Sequence, residues 1–243
     1  MEHRSWLLAI LVTALLSALA VPPLYADAAP TLISSCNPTY VITQPGTYVV
    51  TQNLIAAPRS DCIDVASSNV VLQLSGHTLQ GSDKESNFGF SGIAIPALAI
   101  NTANNVTVVN GTITGFFDAI FDDGSQTTIH GITATENIRG IETNGSNGNI
   151  YTNNHTTNNK EFGILLGGGT SNASVVGNLV TGNGLLGIFI FKDDPSSRVV
   201  NNRIINNRAS GNGPPDDLFD GTPGCGSNIW LHNTGTRNQS CIH

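Results

Sequence analysis

The sequence predicts an all-β fold: a single-stranded right-handed parallel β-helix, a solenoid of about seven coils. Three observations lead there. Short β-prone runs end repeatedly at Gly or Asn, their central spacing falls in the low twenties, and a second set of runs shares one aliphatic register.

The first 28 residues stand apart from the rest. Met1–Ser5 carries Arg4, and Trp6–Ala20 is apolar apart from Thr13 and Ser17. Pro22-Pro23 then breaks any helix, and Ala26-Asp27-Ala28 has a small-x-small form. A charged start, an apolar stretch and a small-residue exit describe a secretory signal peptide. The apolar run is shorter than the ~20 residues a membrane span requires. We therefore expect residues 1–28 to be a signal peptide, 29–61 an N-terminal cap and first strand, and 62–243 the β-helix. The mature chain is expected to be secreted or periplasmic and to carry no membrane span.

The composition supports a β fold. Gly is 26 of 243 residues, charged residues are 11%, and Met1 is the only methionine. The Glu and Lys that favour helices are scarce. Val, Ile and Leu recur in short clusters bounded by Asn and Gly, as strands do. A formal net charge of −7 disfavours nucleic acid, which needs a basic footprint.

Four cysteines in an exported chain point to disulfides. They permit three pairings. Cys36 with Cys62 and Cys225 with Cys241 is the pairing that closes a short loop at each end of the domain, the second closing the C-terminal end. No C-x-x-C spacing or Cys/His cluster supports a metal site instead.

The bends come next. Runs such as Val70–Leu74, Val106–Val109, Thr128–His130, Ile150–Asn153, Val175–Val176, Val199–Val200 and Ile229–His232 end at Gly76, Gly111, Gly131, Asn154, Asn178, Asn202 and Asn233. Gly and Asn most readily take the left-handed conformation of a sharp bend. The central spacings are 20, 23, 24 and 24 residues, and the outer ones of 35 and 31 leave room for loops. A period of this size indicates one coil per repeat. No L-x-x-L-x-L frame, W-D signature or alternating hairpin pattern supports a leucine-rich repeat, a propeller or a sandwich.

Upstream of each bend lies a second run, with Ile63, Ile93, Ile120, Ile141, Ile164 and Ile188 in one register. Parallel stacking would place them about 4.8 Å apart as an inward ladder. Alternation then turns Asp64, Ala94, Phe121, Glu142, Leu165 and Phe189 outward.

The segment Pro45–Leu54, followed by Ser68–Gly81, resembles the opening coil of right-handed parallel β-helix repeat proteins. These include the pectin-lyase-like superfamily and the NosD-like periplasmic proteins. The closing stretch from Asp217 through Trp230 to Cys241 resembles the end of bacterial members. The resemblance spans nearly the whole mature chain and is specific for fold rather than activity. It implies enzymes acting on acidic polysaccharides as one possible class. Of the hydrolase series N-T-D, D-D, G-H-G, R-I-K, only Asp122-Asp123 is present.

Two functional readings stand side by side. In the first, Phe121, Phe189 and Phe191 line an outward face and bind carbohydrate or another surface partner without catalysis, the chain acting as a monomer. In the second, a small lyase or epimerase acts on uronate polymers. Asp122, Asp123 and Glu142 would then hold Ca2+ through oxygen ligands, and Arg139 or Lys192 would serve as base. The bland reading of Asp122-Asp123-Gly124 is a turn, and of Lys192-Asp193-Asp194 a solvated loop.

Overall fold

The computed structural model describes residues 29–82, 89–96, 103–192 and 198–243. The expected signal peptide lies outside the described residues.

All pairings between the strands are parallel. They form two sheets, one of eight strands and one of 14. The eight-stranded sheet takes one short strand from each coil. In order these are Tyr40–Ile42, Ile63–Val65, Ser91–Ile95, Asp118–Asp122, Arg139–Asn144, Ile164–Gly167, Ile188–Ile190 and Leu218–Asp220. The 14-stranded sheet supplies the other two walls and folds over at the bends. Thr128–Thr135, for example, runs through a bend at Gly131, whose φ is +64°.

The aliphatic ladder forms in the expected register. Ile63 pairs with Ile93, Ile93 with Ile120, then Ile141, Ile164, Ile188 and finally Leu218. All are buried in one continuous core with the inward residues of the larger sheet, among them Val108, Ile129, Tyr151, Val175, Ile204 and Trp230. Val and Ile suit these positions because branched side chains pack well on a pleated surface.

Just ahead of that ladder runs a column of small residues: Gly92, Ala119, Gly140, Gly163 and Gly187. A Cβ on Gly163 would come within 2.4 Å of Val180 Cγ1 and 2.7 Å of the Gly187 carbonyl oxygen. A Cβ on Gly140 would come within 2.2 Å of the Gly163 carbonyl oxygen. These positions face the lumen, as do the isoleucines that follow them. Two successive inward positions break the alternation at the start of the strand. That break decides which side chains reach the outer face.

The bends differ from the sequence reading in one respect. Gly76 and Gly131 adopt positive φ as expected, but elsewhere the left-handed residue comes earlier, at Asn110, Asn153 and Gly177. The coil after Asn178 also slips: Val176 pairs with Ile205 rather than Val200, and the bend there falls at Asn206. The Asn residues just after the bends have a different task. Asn154, Asn178, Asn207 and Asn233 stack in a ladder in which each side-chain oxygen accepts the backbone N–H of the coil before it, at 2.9–3.0 Å. Their amide nitrogens donate to backbone carbonyls inside the turn, as Asn178 does to Tyr151 at 2.9 Å. A second ladder runs Asn137, Asn159, Asn183, Asn212 and ends on Asp217. Buried backbone groups at the corners of the coil are paired in this way, as burial requires.

Disulfides join Cys36 to Cys62 and Cys225 to Cys241, the pairing that closes the short loops.

Candidate functional site

The outer face of the eight-stranded sheet concentrates chemistry that is sparse elsewhere. Its central column reads Asp64, Ala94, Phe121, Glu142, Leu165, Phe189 and Phe219 from register. The column upstream of the small residues holds Ser91, Asp118 and Arg139. Because the alternation breaks at Ala119 and Gly140, Asp118 and Arg139 emerge on the same face as Phe121 and Glu142.

Two shallow depressions adjoin here, and Arg139 borders both. One, of about 290 Å³, is lined by Asp61, Ser91, Phe117, Asp118, Phe121 and Arg139, with Gly89 and Ala94. The other, of about 250 Å³, is lined by Arg139, Glu142, Asn144, Phe162, Leu165, Phe189 and Phe191. The first is acidic and the second aromatic.

Arg139 sits at the junction. Its Nη1 donates to Glu142 Oε2 at 2.5 Å and its Nε to Glu161 Oε2 at 2.8 Å. The guanidinium lies 4.8 Å from the Phe117 ring centroid. Glu142 Oε1 accepts from the Asn144 amide at 2.9 Å. Asp118 is 5% exposed. Burial raises its pKa well above the ordinary carboxyl range, and the nearby Glu142 charge adds to this, against the opposing pull of Arg139. Burial likewise pushes Asp123 up to about 6, with Glu142 contributing. At the aromatic end, Phe189 is flanked by Phe162, Phe191 and Phe219 at centroid distances of 5.3, 5.4 and 5.4 Å. Phe191 is 42% exposed.

The residues singled out from sequence divide by position. Glu142 and Arg139 meet in a direct ion pair, and Asp123 lies near Glu142. Phe121 lines the acidic depression, and Phe189 and Phe191 the aromatic one. Lys192 lines neither depression. Asp122 is not at the outer edge: it is fully buried inside the coil. There its carboxylate accepts from the Tyr151 hydroxyl and the Asn149 amide at 2.9 Å each, and from the Gly124 N–H at 3.1 Å. Parity with the inward Ile120 dictates this, since positions two apart on a strand share a face. The carboxylates of Asp122, Asp123 and Glu142 therefore do not converge. Among the described residues no three His, Cys, Asp or Glu side chains come together as a cation site.

The sequence reading missed Asp118, Phe117, Phe162, Glu161 and Phe219. The pattern that marks them can be read only once the small-residue column is known to face the lumen. Asp118, Arg139 and Phe162 each immediately precede a small residue of the column that includes Ala119, Gly140 and Gly163.

Among the described residues no helix is long and apolar enough to cross a membrane. No curated protein matches the chain. Among solved structures, the crystal structure of the Dettilon tailspike protein superposes with a TM-score of 0.62 at 16% identity, over 82% of this chain and 39% of that one. The chain thus spans about two-fifths of the tailspike's length, and the likeness is one of fold. The A-modules of the Azotobacter vinelandii mannuronan C-5 epimerases AlgE6 and AlgE4 align with TM-scores of 0.37 and 0.34 at 12% and 13% identity. They cover 88% and 79% of this chain, and 87% and 80% of their own lengths. The model of the family described as "Right handed beta helix region" matches residues 41–208 and, in an overlapping placement, 94–240. The repeated coil of parallel strands and the extent of that match make the chain a member of the right-handed β-helix family.

Proposed function

We propose that the protein is an exported, non-catalytic binding protein that holds a polysaccharide along the outer face of its eight-stranded sheet. The observation that carries this is the cluster of Phe162, Phe189, Phe191 and Phe219, with ring centroids 5.3–5.4 Å apart from Phe189, beside a strip of carboxylates. A chain with nine Phe in total places four of them here. Aromatic rings bury much apolar area on the C–H faces of sugars, and neighbouring polar groups meet the hydroxyls. From Phe121 to Phe219 the face spans four strand steps, about 19 Å at the usual inter-strand spacing, enough for several sugars of an extended chain. The two disulfides support an oxidising, extracytoplasmic setting.

The lyase or epimerase reading needs a base free to take a proton beside a uronate carboxylate. Arg139 is engaged by two carboxylates, and Asp122 is enclosed by the coil. Binding without catalysis fits this arrangement better.

The test is a titration of the folded protein against a panel of neutral, acidic and amino-sugar oligomers, paired with an ultraviolet assay for unsaturated product ends on uronate polymers. Saturable binding that falls about tenfold or more in Phe189→Ala, with a flat absorbance trace, is the expected outcome. Calcium-dependent growth of absorbance would overturn it, as would the absence of binding to every glycan.

A further inference from the structure

The Asp118 end of the groove holds buried carboxylate oxygens without hydrogen-bond partners. Asp118 is 5% exposed, lines the depression of about 290 Å³, and its Oδ1 is buried without a hydrogen-bond partner. Asp64, next to Asp61, likewise has a buried Oδ1 without a partner. Asp61 accepts the backbone N–H of Ser91. Leaving buried acceptors unsatisfied is costly, and native structures keep such atoms for a reason. Two aromatic walls, Phe117 and Phe121, flank the same space.

Charge states what would fit. Asp61, Asp64, Asp118, Asp123, Glu142 and Glu161 gather on this part of the face. Among the described residues lining the two depressions, Arg139 is the one Lys or Arg, and its fork already serves Glu142 and Glu161. A uronate would bring a further carboxylate into this field, a like-charge juxtaposition that disfavours binding. A primary ammonium answers each feature. It has three donors and no acceptor, it is attracted to carboxylates, and it is stabilised over aromatic faces.

We propose that the depression lined by Asp61 and Asp118 receives the ammonium group of an amino sugar, so that the polysaccharide held by this face carries free amines. The inference rests on the carbohydrate reading and names its ligand class. Burial raises the carboxyl pKa values of Asp118, Asp61 and Asp64, the last to about 6 with the Asp61 charge contributing. An arriving ammonium supplies the charge that lets them ionise.

The test uses the full chain and three probes in titration calorimetry: a short glucosamine oligomer, its fully N-acetylated counterpart and a galacturonate oligomer. The expected result is that the free-amine oligomer binds at least tenfold more tightly than the acetylated one, and the galacturonate oligomer binds weakest. Asp118→Asn should erase that preference, and Asp61→Asn provides a second variant should Asp118→Asn fold poorly. Equal affinity for the amine and acetylated forms overturns the inference but leaves the carbohydrate reading standing. So does a preference for galacturonate, or an amine preference that survives both substitutions. Failure of every oligomer to bind overturns both.

Discussion

The Tyr151 hydroxyl donates to the Asp122 carboxylate at 2.9 Å inside the closed coil, and the pair recurs at the end of the stack, where Trp230 Nε1 donates to Asp220 Oδ2 at 2.8 Å. Each joins two walls of the coil through a buried acid. Burial is the larger influence on Asp122 and pushes its pKa up to about 7, against the opposing hydrogen bonds from Tyr151 and Gly124.

This shift sets a pH dependence of stability. The unfolded chain releases the Asp122 proton near its ordinary value of 3.8, while the folded protein holds it to about 7. Between those values the native state binds more protons, so stability falls as pH rises through the window and levels off above it. Asp118, Asp64 and Asp123 act in the same direction. Asp217, held low by hydrogen bonds from Thr236 and Asn212 that outweigh its burial, acts oppositely only at the acid end. The thermal midpoint is expected to be higher at about pH 5 than at about pH 8, and Asp122→Asn to flatten the difference. Calorimetric melts across that range check it.

Asn178→Ala removes one rung of a ladder. It leaves the Asn154 N–H and the Tyr151 carbonyl without their partners. Two buried backbone groups left unsatisfied predict a loss of about 2–4 kcal/mol. Urea unfolding should show a lower midpoint with an unchanged slope.

Arg139→Lys keeps the charge but loses the fork that reaches Glu142 and Glu161 together. Because the site is partly open to solvent, the expected cost is about 1 kcal/mol. Parallel melts of both proteins at neutral pH measure this.

Replacing Cys225 and Cys241 together by Ser opens a loop with a sequence separation of 16. A loop of that length predicts a loss of about 3 kcal/mol. Hydrogen exchange should locate the loosening in residues 217–243 before the central coils.

The aliphatic ladder was legible because period-two alternation and a recurring Ile specify a register in a parallel stack. The site was only partly so. Glu142 and three of the phenylalanines could be placed by counting from the inward Ile, whereas the same count would turn Arg139 inward, and only the break at Gly140 brings it out. Asp122 could have been excluded by the same count, but its neighbour Asp123 and the D-D pattern drew it to the outer face. Asp118 and Phe162 escaped because a lone Asp or Phe before a small residue gives no signal until Gly140 and Gly163 are known to face the lumen. The misplaced coil after Asn178 has a similar origin: Val199-Val200 and Ile204-Ile205 are equally β-prone, and only the Asn ladders choose between them.

Those ladders also determine how such a chain can grow. Each central Asn accepts from the coil below and is met by an equivalent Asn above, so the underside of one central coil matches the top of the next. The ends do not share this property: Asp217 halts one ladder, and the His243 carbonyl receives the Asn233 N–H at 2.8 Å. A duplicated middle coil can be spliced in with both joints already complementary, whereas an added end coil would need a new terminator. The outer face of the eight-stranded sheet can therefore lengthen by whole coils of about 4.8 Å, which makes this architecture a modular ruler.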